Sequence, residues 1–261
     1  MLKKRICLIL TLCVLLLTCV IPVSATGAKY DHWFIKHTGS HEVPVCDARF
    51  ANIHTYGAYY LGPQKPNEKT IYLTFDMGYV NDNVIKILDV LKEEGVPAAF
   101  FVLRHVADKS PEVLKRMVAD GHLVCNHTAN HKNMVGVTEK FFREELEKME
   151  NVYRQATGEE LSRFYRPPEG RFDEENLKWA QKMGYTTVFW SFAYCDWDNK
   201  DQPSPEKAKQ MILTNTHERE ILLLHPTSST NAEILGDLIK AWREDGYTFG
   251  TLYDLIPTTK K

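Results

Sequence analysis

Short apolar runs rich in β-branched and aromatic residues alternate with amphipathic stretches from Thr70 to the end of the chain. Apolar residues in the amphipathic stretches recur at helical spacing, as in Val84, Ile87, Leu88 and Leu91. Five glycines follow such stretches where a left-handed residue can end a helix: Gly95, Gly121, Gly158, Gly184 and Gly246. This alternation is typical of βα units around a parallel sheet, which restricts the chain to the α/β class.

The apolar runs predict seven strands. They span Ile71–Asp76, Ala98–Leu103, His122–Asn126, Arg163–Arg166, Thr186–Phe192, Ile221–His225 and Thr248–Leu252. Seven units indicate a (β/α)7-type barrel of parallel strands, one unit short of the usual eight, although an open sheet fits the same pattern. Residues 26–69 lack this rhythm, and we interpret them as an irregular N-terminal extension packed on a domain of residues 70–257.

Residues 1–25 have the features of an export signal. Basic residues at positions 3–5 precede an apolar run at 6–20, and Ala25 ends a short segment of small residues suited to cleavage. The run is shorter than the roughly 20 residues of a membrane-spanning helix, so an uncleaved anchor is the weaker alternative. We therefore expect a secreted, extracytoplasmic protein of roughly 235 residues, with membrane attachment only through an uncleaved signal.

Charge and cysteine content narrow the class of function. The formal net charge is -2 and no block of basic residues is present, which argues against nucleic acid as a partner. Outside the signal the cysteines are Cys46, Cys125 and Cys195, and an odd number cannot be fully paired. No disulfide framework is implied, and Cys125 lies in an apolar run that predicts a core position.

Polar residues occupy the carboxyl ends of five predicted strands, where parallel barrels carry their active sites. These residues are Asp76, the pair His127 and His131, Arg166, Asp196 with Trp197, and His225. One or two polar strand ends are expected by chance, so five indicate a site.

Two histidines four positions apart in "NHTANH" flank one turn after a predicted buried strand. Such a turn can point the ring nitrogens of His127 and His131 at one cation, and the carboxylate of Asp76 supports that interpretation. The alternative is two unrelated loop residues. A metalloprotease is disfavoured because Thr128 stands where H-E-x-x-H requires glutamate, and no G-x-S-x-G turn supports a serine nucleophile.

In this order, the stretches "TFDMGY", "HTANH", "RPPEG", "DW" and "LLLHP" resemble the polysaccharide deacetylase (NodB-homology) family of carbohydrate esterases over roughly residues 70–255. The longer stretches "FDMGYVND", "RPPEGRF" and "VFWSFAYCDW" are most similar to its sporulation branch, the delta-lactam-forming N-acetylmuramic acid deacetylases of spore cortex. The resemblance implies a distorted barrel and a metal-dependent amide hydrolase.

The resemblance also implies roles for the strand-end residues. It makes Asp76 the general base, Arg166 its partner, His127 and His131 the metal ligands, His225 the general acid, Asp196 the residue that orients it, and the amide of Glu169 an oxyanion donor. The expected cofactor is Zn²⁺, with Co²⁺ or Mn²⁺ as alternatives. Met77 stands where most of the family has a third ligand, an aspartate, and a thioether is a poor ligand for Zn²⁺. The sporulation branch also tends to lack that aspartate.

The implied substrate is the glycan strand of peptidoglycan, at N-acetylmuramic acid residues from which an N-acetylmuramoyl-L-alanine amidase has removed the peptide. The expected location is the cell wall or the spore intermembrane space, and the expected state is a monomer. Tyr79 and Trp197 are predicted sugar contacts, and the charged side chains of residues 143–151, "REELEKMEN", are predicted to form a solvated helix surface. Alternatives are deacetylation of N-acetylglucosamine polymers or xylan, and a non-catalytic glycan-binding protein.

Overall fold

A parallel β-sheet forms the centre of the computed structural model, which describes residues 32–256. Its strands are β1 (Ala58–Tyr59), β2 (Lys69–Met77), β3 (Ala98–Val102), β4 (Leu123–Asn126), β5 (Ser162–Tyr165), β6 (Thr186–Val188), β7 (Phe192–Ala193), β8 (Glu220–Leu224) and β9 (Tyr247–Phe249). Every pairing between these strands is parallel. The predicted signal peptide at 1–25 lies outside the described residues.

The sheet curls because one chain segment pairs with both of its sides. The strand order is β1-β6-β5-β4-β3-β2-β8-β7, with β9 beside the start of β2. Strands β6 and β7 belong to the continuous segment 186–193, which pairs with β5 at its start and with β8 at its end. The predicted distorted barrel of parallel strands is confirmed, and the open sheet is not observed.

Two details of the strand prediction are wrong. The predicted strand Thr186–Phe192 is two short strands, because the segment leaves one neighbour before it reaches the other. The N-terminal extension is not wholly irregular, because β1 pairs with β6 through Ala58 and Thr187. The other six predicted strands agree with observed strands to within a few residues at each end.

Within residues 32–256, seven α-helices cover the outer face of the sheet. They are α1 (Asp82–Glu94), α2 (Arg104–Lys109), α3 (Pro111–Ala119), α4 (Glu139–Thr157), α5 (Glu174–Lys182), α6 (Pro205–Asn215) and α7 (Ser229–Glu244). Alternation along β2 places Leu73 and Phe75 in the apolar cluster against the helices, whereas Tyr72 belongs to a second cluster inside the curl. Cys125 is buried in that inner cluster, as predicted.

The N-terminal extension packs on the sheet through Trp33, which is almost completely buried. The Trp33 ring stacks on Phe189, and its indole N–H donates to the carbonyl of Trp190 at 3.0 Å. The backbone N–H of Trp33 donates to the carbonyl of Gly170 at 2.8 Å. The extension therefore supports the turn that follows β5. Between residues 32 and 256 no helix combines the length and apolarity needed to cross a membrane.

Candidate active site

The carboxyl ends of β2, β4 and β5 bring an aspartate, an imidazole and a guanidinium together. Arg166 Nη1 donates to Asp76 Oδ1 at 2.8 Å. The other carboxylate oxygen, Asp76 Oδ2, lies 3.6 Å from His127 Nε2. Parallel strands place their carboxyl ends at one edge of the sheet, so residues 90 positions apart in the chain meet here.

The Arg166 guanidinium is fully buried and is held by fixed acceptors. Its Nε donates to the carbonyl of Val188 at 2.9 Å, and its Nη2 donates to Thr74 Oγ1 at 2.9 Å and to the carbonyl of Phe189 at 3.3 Å. A buried cation is costly unless it is paired and its N–H groups are satisfied. These acceptors therefore fix the direction from which Arg166 approaches Asp76.

Opposing effects set the pKa of Asp76. Burial alone raises the pKa, but the charge of Arg166, followed by those of His127 and His225, outweighs it and holds the pKa below its ordinary value. The carboxylate is therefore ionised at neutral pH, and it can accept a proton from a water molecule.

A strained turn places the two predicted metal-binding imidazoles side by side. Thr128 and His131 adopt left-handed φ angles of 71° and 53°, and a β-branched residue is rare in that region. Asn126 Oδ1 accepts from the N–H of Thr128 at 2.9 Å, and Thr128 Oγ1 accepts from the N–H of His131 at 3.0 Å. The His127 and His131 ring centroids are 5.0 Å apart, with the planes at 66°.

The hydrogen bonds of His127 define its protonated nitrogen. Nδ1 lies 2.9 Å from the carbonyl of Arg166, which can only accept, so Nδ1 carries the proton and Nε2 keeps its lone pair. Burial, opposed in part by the charge of Asp76, lowers the pKa of His127 to about 4, and the ring is neutral at neutral pH. Two acceptors, Nε2 and Asp76 Oδ2, thus face each other at 3.6 Å. The lone pair of Nε2 is therefore free to ligate a cation.

A second cluster joins the ends of β7 and β8. His225 Nδ1 donates to Asp196 Oδ1 at 2.7 Å, and the backbone N–H of His225 donates to Asp196 Oδ2 at 2.7 Å. Burial lowers the pKa of His225, but the hydrogen bond and charge of Asp196, with the charge of Asp76, raise it above its ordinary value overall. The positive charge of His225 contributes to the lowered pKa of Asp76, and the negative charge of Asp76 contributes to the raised pKa of His225.

Exposed aromatic rings border the second cluster. Trp197 is 60% exposed, and its ring contacts the His225 ring edge-on with centroids 6.2 Å apart. The hydroxyl of Tyr79, which is also exposed, accepts from Asn199 Nδ2 at 3.1 Å and links the loop after β2 to the loop that carries Trp197. Flat exposed rings of this kind suit the faces of sugars.

The turn after β5 presents Glu169 in a left-handed conformation with φ 56°. Gly170 follows at φ 64°, and a Cβ there would lie 2.7 Å from Cη2 of Trp190, so only glycine fits without displacing that ring. Within residues 32–256, no hydrogen bond joins Glu169 to either cluster. The position of Glu169 relative to the two clusters is therefore set by the backbone of this turn.

Comparison with known proteins identifies the family. The polysaccharide deacetylase family model matches residues 63–188. The peptidoglycan-N-acetylmuramic acid deacetylase PdaA of Bacillus subtilis (strain 168) is 37% identical over 254 residues, covering 97% of this chain and 96% of that protein. The chain belongs to the polysaccharide deacetylase family.

A solved structure agrees with this chain in fold, and a second curated relative is named for a different sugar. The structure of Bacillus subtilis PdaA, a family 4 carbohydrate esterase, matches with a TM-score of 0.81 and 37% identity over 86% of this chain and 95% of that chain. A peptidoglycan-N-acetylglucosamine deacetylase of Bacillus cereus is 32% identical, covering 81% of this chain and 76% of that protein.

The candidate metal donors in this chain are the imidazoles of His127 and His131, with one carboxylate oxygen of Asp76 near the first of them. In the part of the chain that the structure describes, no group of three or more His, Cys, Asp or Glu side chains is arranged to hold a metal ion. Met77 is buried in the apolar cluster with Phe75 and Val102 and supplies no hard ligand. The donor set that remains is His127 and His131, with Asp76 Oδ2 facing the free nitrogen of His127.

The cluster of Asp196 and His225 contains two further residues that were not predicted from the sequence. Asn231 Nδ2 donates to Asp196 Oδ2 at 2.6 Å, and the hydroxyl of Tyr194 donates to Asn231 Oδ1. Because the carbonyl of the Asn231 side chain is taken by Tyr194, its amide nitrogen must face Asp196. The sequence did indicate that Asn231 is buried, because it lies on the same stripe of α7 as Ile234 and Leu235.

The prediction for residues 143–151 is wrong at one position. Glu145 is 5% exposed, and its carboxylate accepts from Asn130, which lies between the two predicted metal ligands. It shares the buried stripe of α4 with Phe142, Leu146 and Met149. A charged residue on the apolar face of a helix is a sign of a buried and partnered group.

Proposed function

We propose that the chain is an exported, metal-dependent peptidoglycan de-N-acetylase that acts on N-acetylmuramic acid residues and leads to muramic delta-lactam in spore cortex. The observation that carries the proposal is the placement of an ionised aspartate beside a buried guanidinium, opposite an imidazole that is itself paired with a carboxylate. Hydrolysis of an amide requires these two groups, a base for water and an acid for a poor leaving group.

Asp76 acts as the base on the acetyl side. Its lowered pKa keeps it ionised, and Arg166 occupies Oδ1 and leaves Oδ2 to take a proton from water. The water oxygen forms a bond to the carbonyl carbon of the acetyl group, and negative charge develops on the carbonyl oxygen. The amide of Glu169 stabilises that oxygen, a contribution of typically about 3 kcal/mol.

His225 acts as the acid on the sugar side. Asp196 holds Nδ1, so Nε2 presents the proton that the departing sugar nitrogen needs. The C–N bond breaks, acetate leaves, and the sugar keeps a free amine. Asp196 stabilises the positive imidazolium before transfer, and a placed acid of this kind contributes typically 10²–10⁴-fold in rate.

His127 and His131 hold a divalent metal, which we take to be Zn²⁺ with Co²⁺ or Mn²⁺ as alternatives. When bound there, the metal supplies a more acidic water and polarises the acetyl carbonyl. The neutral His127 ring with its free Nε2 is the protonation state that ligation requires.

The substrate assignment is supported by the relative named for N-acetylmuramic acid, which aligns with 97% of this chain. We propose that an N-acetylmuramoyl-L-alanine amidase acts first, that the protein works as a monomer at the cell wall or in the spore intermembrane space, and that residues 1–25 direct its export. Trp197 and Tyr79, exposed beside His225, contact the glycan strand.

Acetate release with and without a chelator tests the proposal. We expect chelator-sensitive release from peptide-free muramic-acid glycans and much slower release from chitooligosaccharides. Faster release from chitooligosaccharides would favour N-acetylglucosamine polymers, for which the 32% identical Bacillus cereus relative is the supporting observation. Absence of release from both, with retained glycan binding, would establish the non-catalytic alternative.

A further inference from the structure

Glu145 is a buried carboxylate on α4, whereas its acidic neighbours Glu144 and Glu147 reach solvent. Its exposure is 5%, whereas Glu144 and Glu147 on the same helix have side chains exposed by 59% and 47%. Within residues 32–256 no Lys, Arg or His lies within ion-pair distance of Glu145. A buried carboxylate without a cation must be compensated by hydrogen bonds.

Both oxygens of Glu145 bind one residue of the imidazole turn. Oε2 accepts from the backbone N–H of Asn130 at 2.9 Å, and Oε1 accepts from Asn130 Nδ2 at 2.6 Å. Asn130 stands directly before His131 and two residues after the left-handed Thr128. The carboxylate of Glu145 therefore binds the turn between His127 and His131, the two residues whose rings must point at one cation.

The turn needs such a support because its backbone is unfavourable by itself. Thr128 and His131 both have positive φ, and residues held in sparsely populated conformations persist only when the surroundings over-determine them. The bonds within the turn come from Asn126 and Thr128. The two bonds from Glu145 come from outside it, and they tie the turn to α4.

We infer that Glu145 is a positioning residue for the metal site: through Asn130 it holds the turn 127–131 in the conformation that directs both imidazoles at one cation. This inference rests on the proposed function, in which His127 and His131 bind the metal. A carboxylate suits the task because it accepts both donors of Asn130. Glutamine accepts only one and places its own N–H₂ against the other.

The test is the affinity of full-length protein for Zn²⁺, measured by competition with a chromophoric chelator, for wild type and Glu145→Gln. Loss of a residue that orients metal ligands typically weakens binding by 10–100-fold, and we expect at least a tenfold loss. The visible spectrum of the Co²⁺-loaded protein should change as well. Glu147→Gln on the same helix is the matched control, and it should bind Zn²⁺ as wild type does.

A second variant separates positioning from loss of stability. Asn130→Ala removes the side-chain bond in an exposed residue, so it should fold and still bind Zn²⁺ more weakly than wild type. In the Asn130→Ala background, Glu145→Gln should cost less affinity than it does alone, because the two residues act through one contact.

The outcomes distinguish the inference from the proposed function. If wild type binds Zn²⁺ and both variants bind it within twofold of wild type, with only the melting temperature lowered, Glu145 is structural and the inference is overturned alone. If wild type binds no Zn²⁺, the proposed metal site fails and the inference fails with it. If Glu145→Gln does not fold, the affinity of Asn130→Ala decides.

Discussion

Two imidazoles of the candidate site, those of His127 and His225, differ in the acceptor that each Nδ1–H meets. The Nδ1–H of His127 donates a hydrogen bond to a backbone carbonyl, and burial lowers the pKa of the ring to about 4. The Nδ1–H of His225 donates a hydrogen bond to the carboxylate of Asp196. That bond and the charge of Asp196 oppose the effect of burial and raise the pKa of His225. The same residue type is therefore neutral at His127, as the proposed ligand role requires, and more readily protonated at His225, as the proposed acid role requires.

The two sides also differ in how they are held. On the base side a fully buried guanidinium joins β2, β5 and the segment after β6. On the acid side the carboxylate of Asp196 accepts from β8 and from α7. Each side has one side chain, Arg166 or Asp196, buried among fixed hydrogen-bonding groups, so a variant at either should lower stability as well as change the chemistry.

The largest expected effect is that of Asp76→Asn. The amide is nearly isosteric but cannot take a proton from water, so acetate release should fall by about 10³-fold. Circular dichroism should show a folded protein. A wild-type rate of acetate release would show that Asp76 is not the base.

A pair of variants separates the two imidazoles. His127→Ala and His225→Ala should both reduce acetate release by about 10²-fold or more, but only His127→Ala should lose bound Zn²⁺, measured by elemental analysis after dialysis. The comparison breaks if His225→Ala also loses the metal, or if His127→Ala keeps both metal and turnover.

Asp196→Asn tests the cause of the raised pKa. In wild type the rate should fall only as pH rises through the His225 pKa, which lies above its ordinary value near 6.5. Without the carboxylate of Asp196, only the charge of Asp76 opposes burial, and the alkaline limb of kcat should move to lower pH, with roughly a tenfold to hundredfold loss of rate. The raised pKa also means that Asp196 stabilises the fold at pH below about 6.5, and that this stability disappears as pH rises through the folded value. If the alkaline limb of kcat stayed at the same pH in Asp196→Asn, Asp196 would not be the cause of the raised pKa of His225.

The smallest effect is expected for Asn231→Leu. Asp196 keeps its two bonds to His225 but loses the amide donor, and Tyr194 loses its acceptor. We expect about a tenfold loss in kcat with little change in KM, because the acid is misplaced while the sugar contacts remain. Asn176→Ala, which removes a buried helix cap of α5 far from this cluster in the fold, is the control for stability. Equal losses of kcat in both variants would remove Asn231 from the acid side.

Local pattern predicted most of the fold and the type of the site. Apolar runs placed six of the seven predicted strands, because a buried parallel strand must be continuously apolar. The pair His127 and His131 was predicted because both lie in one turn, where spacing alone limits their separation. The strand Ala58–Tyr59 was missed because two residues carry no periodicity, and its pairing with β6 is a long-range event.

The supporting residues needed the structure. Glu145 and Asn231 lie on apolar helix stripes, which indicates burial but not the partner. Glu145 was predicted to be solvated because charged neighbours surround it in sequence, and burial of its carboxylate depends on a turn 15 residues away in the chain.

The sequence by itself determined the α/β class, the strand ends that carry polar residues and the likeness to polysaccharide deacetylases, because these follow from short-range pattern and ordered motifs. Only the tertiary structure decided which polar groups are in contact and which nitrogen of each imidazole carries the proton. The physical reason is that a pKa and a hydrogen bond depend on the nearest charge and on burial, and both are supplied here by residues from distant parts of the chain.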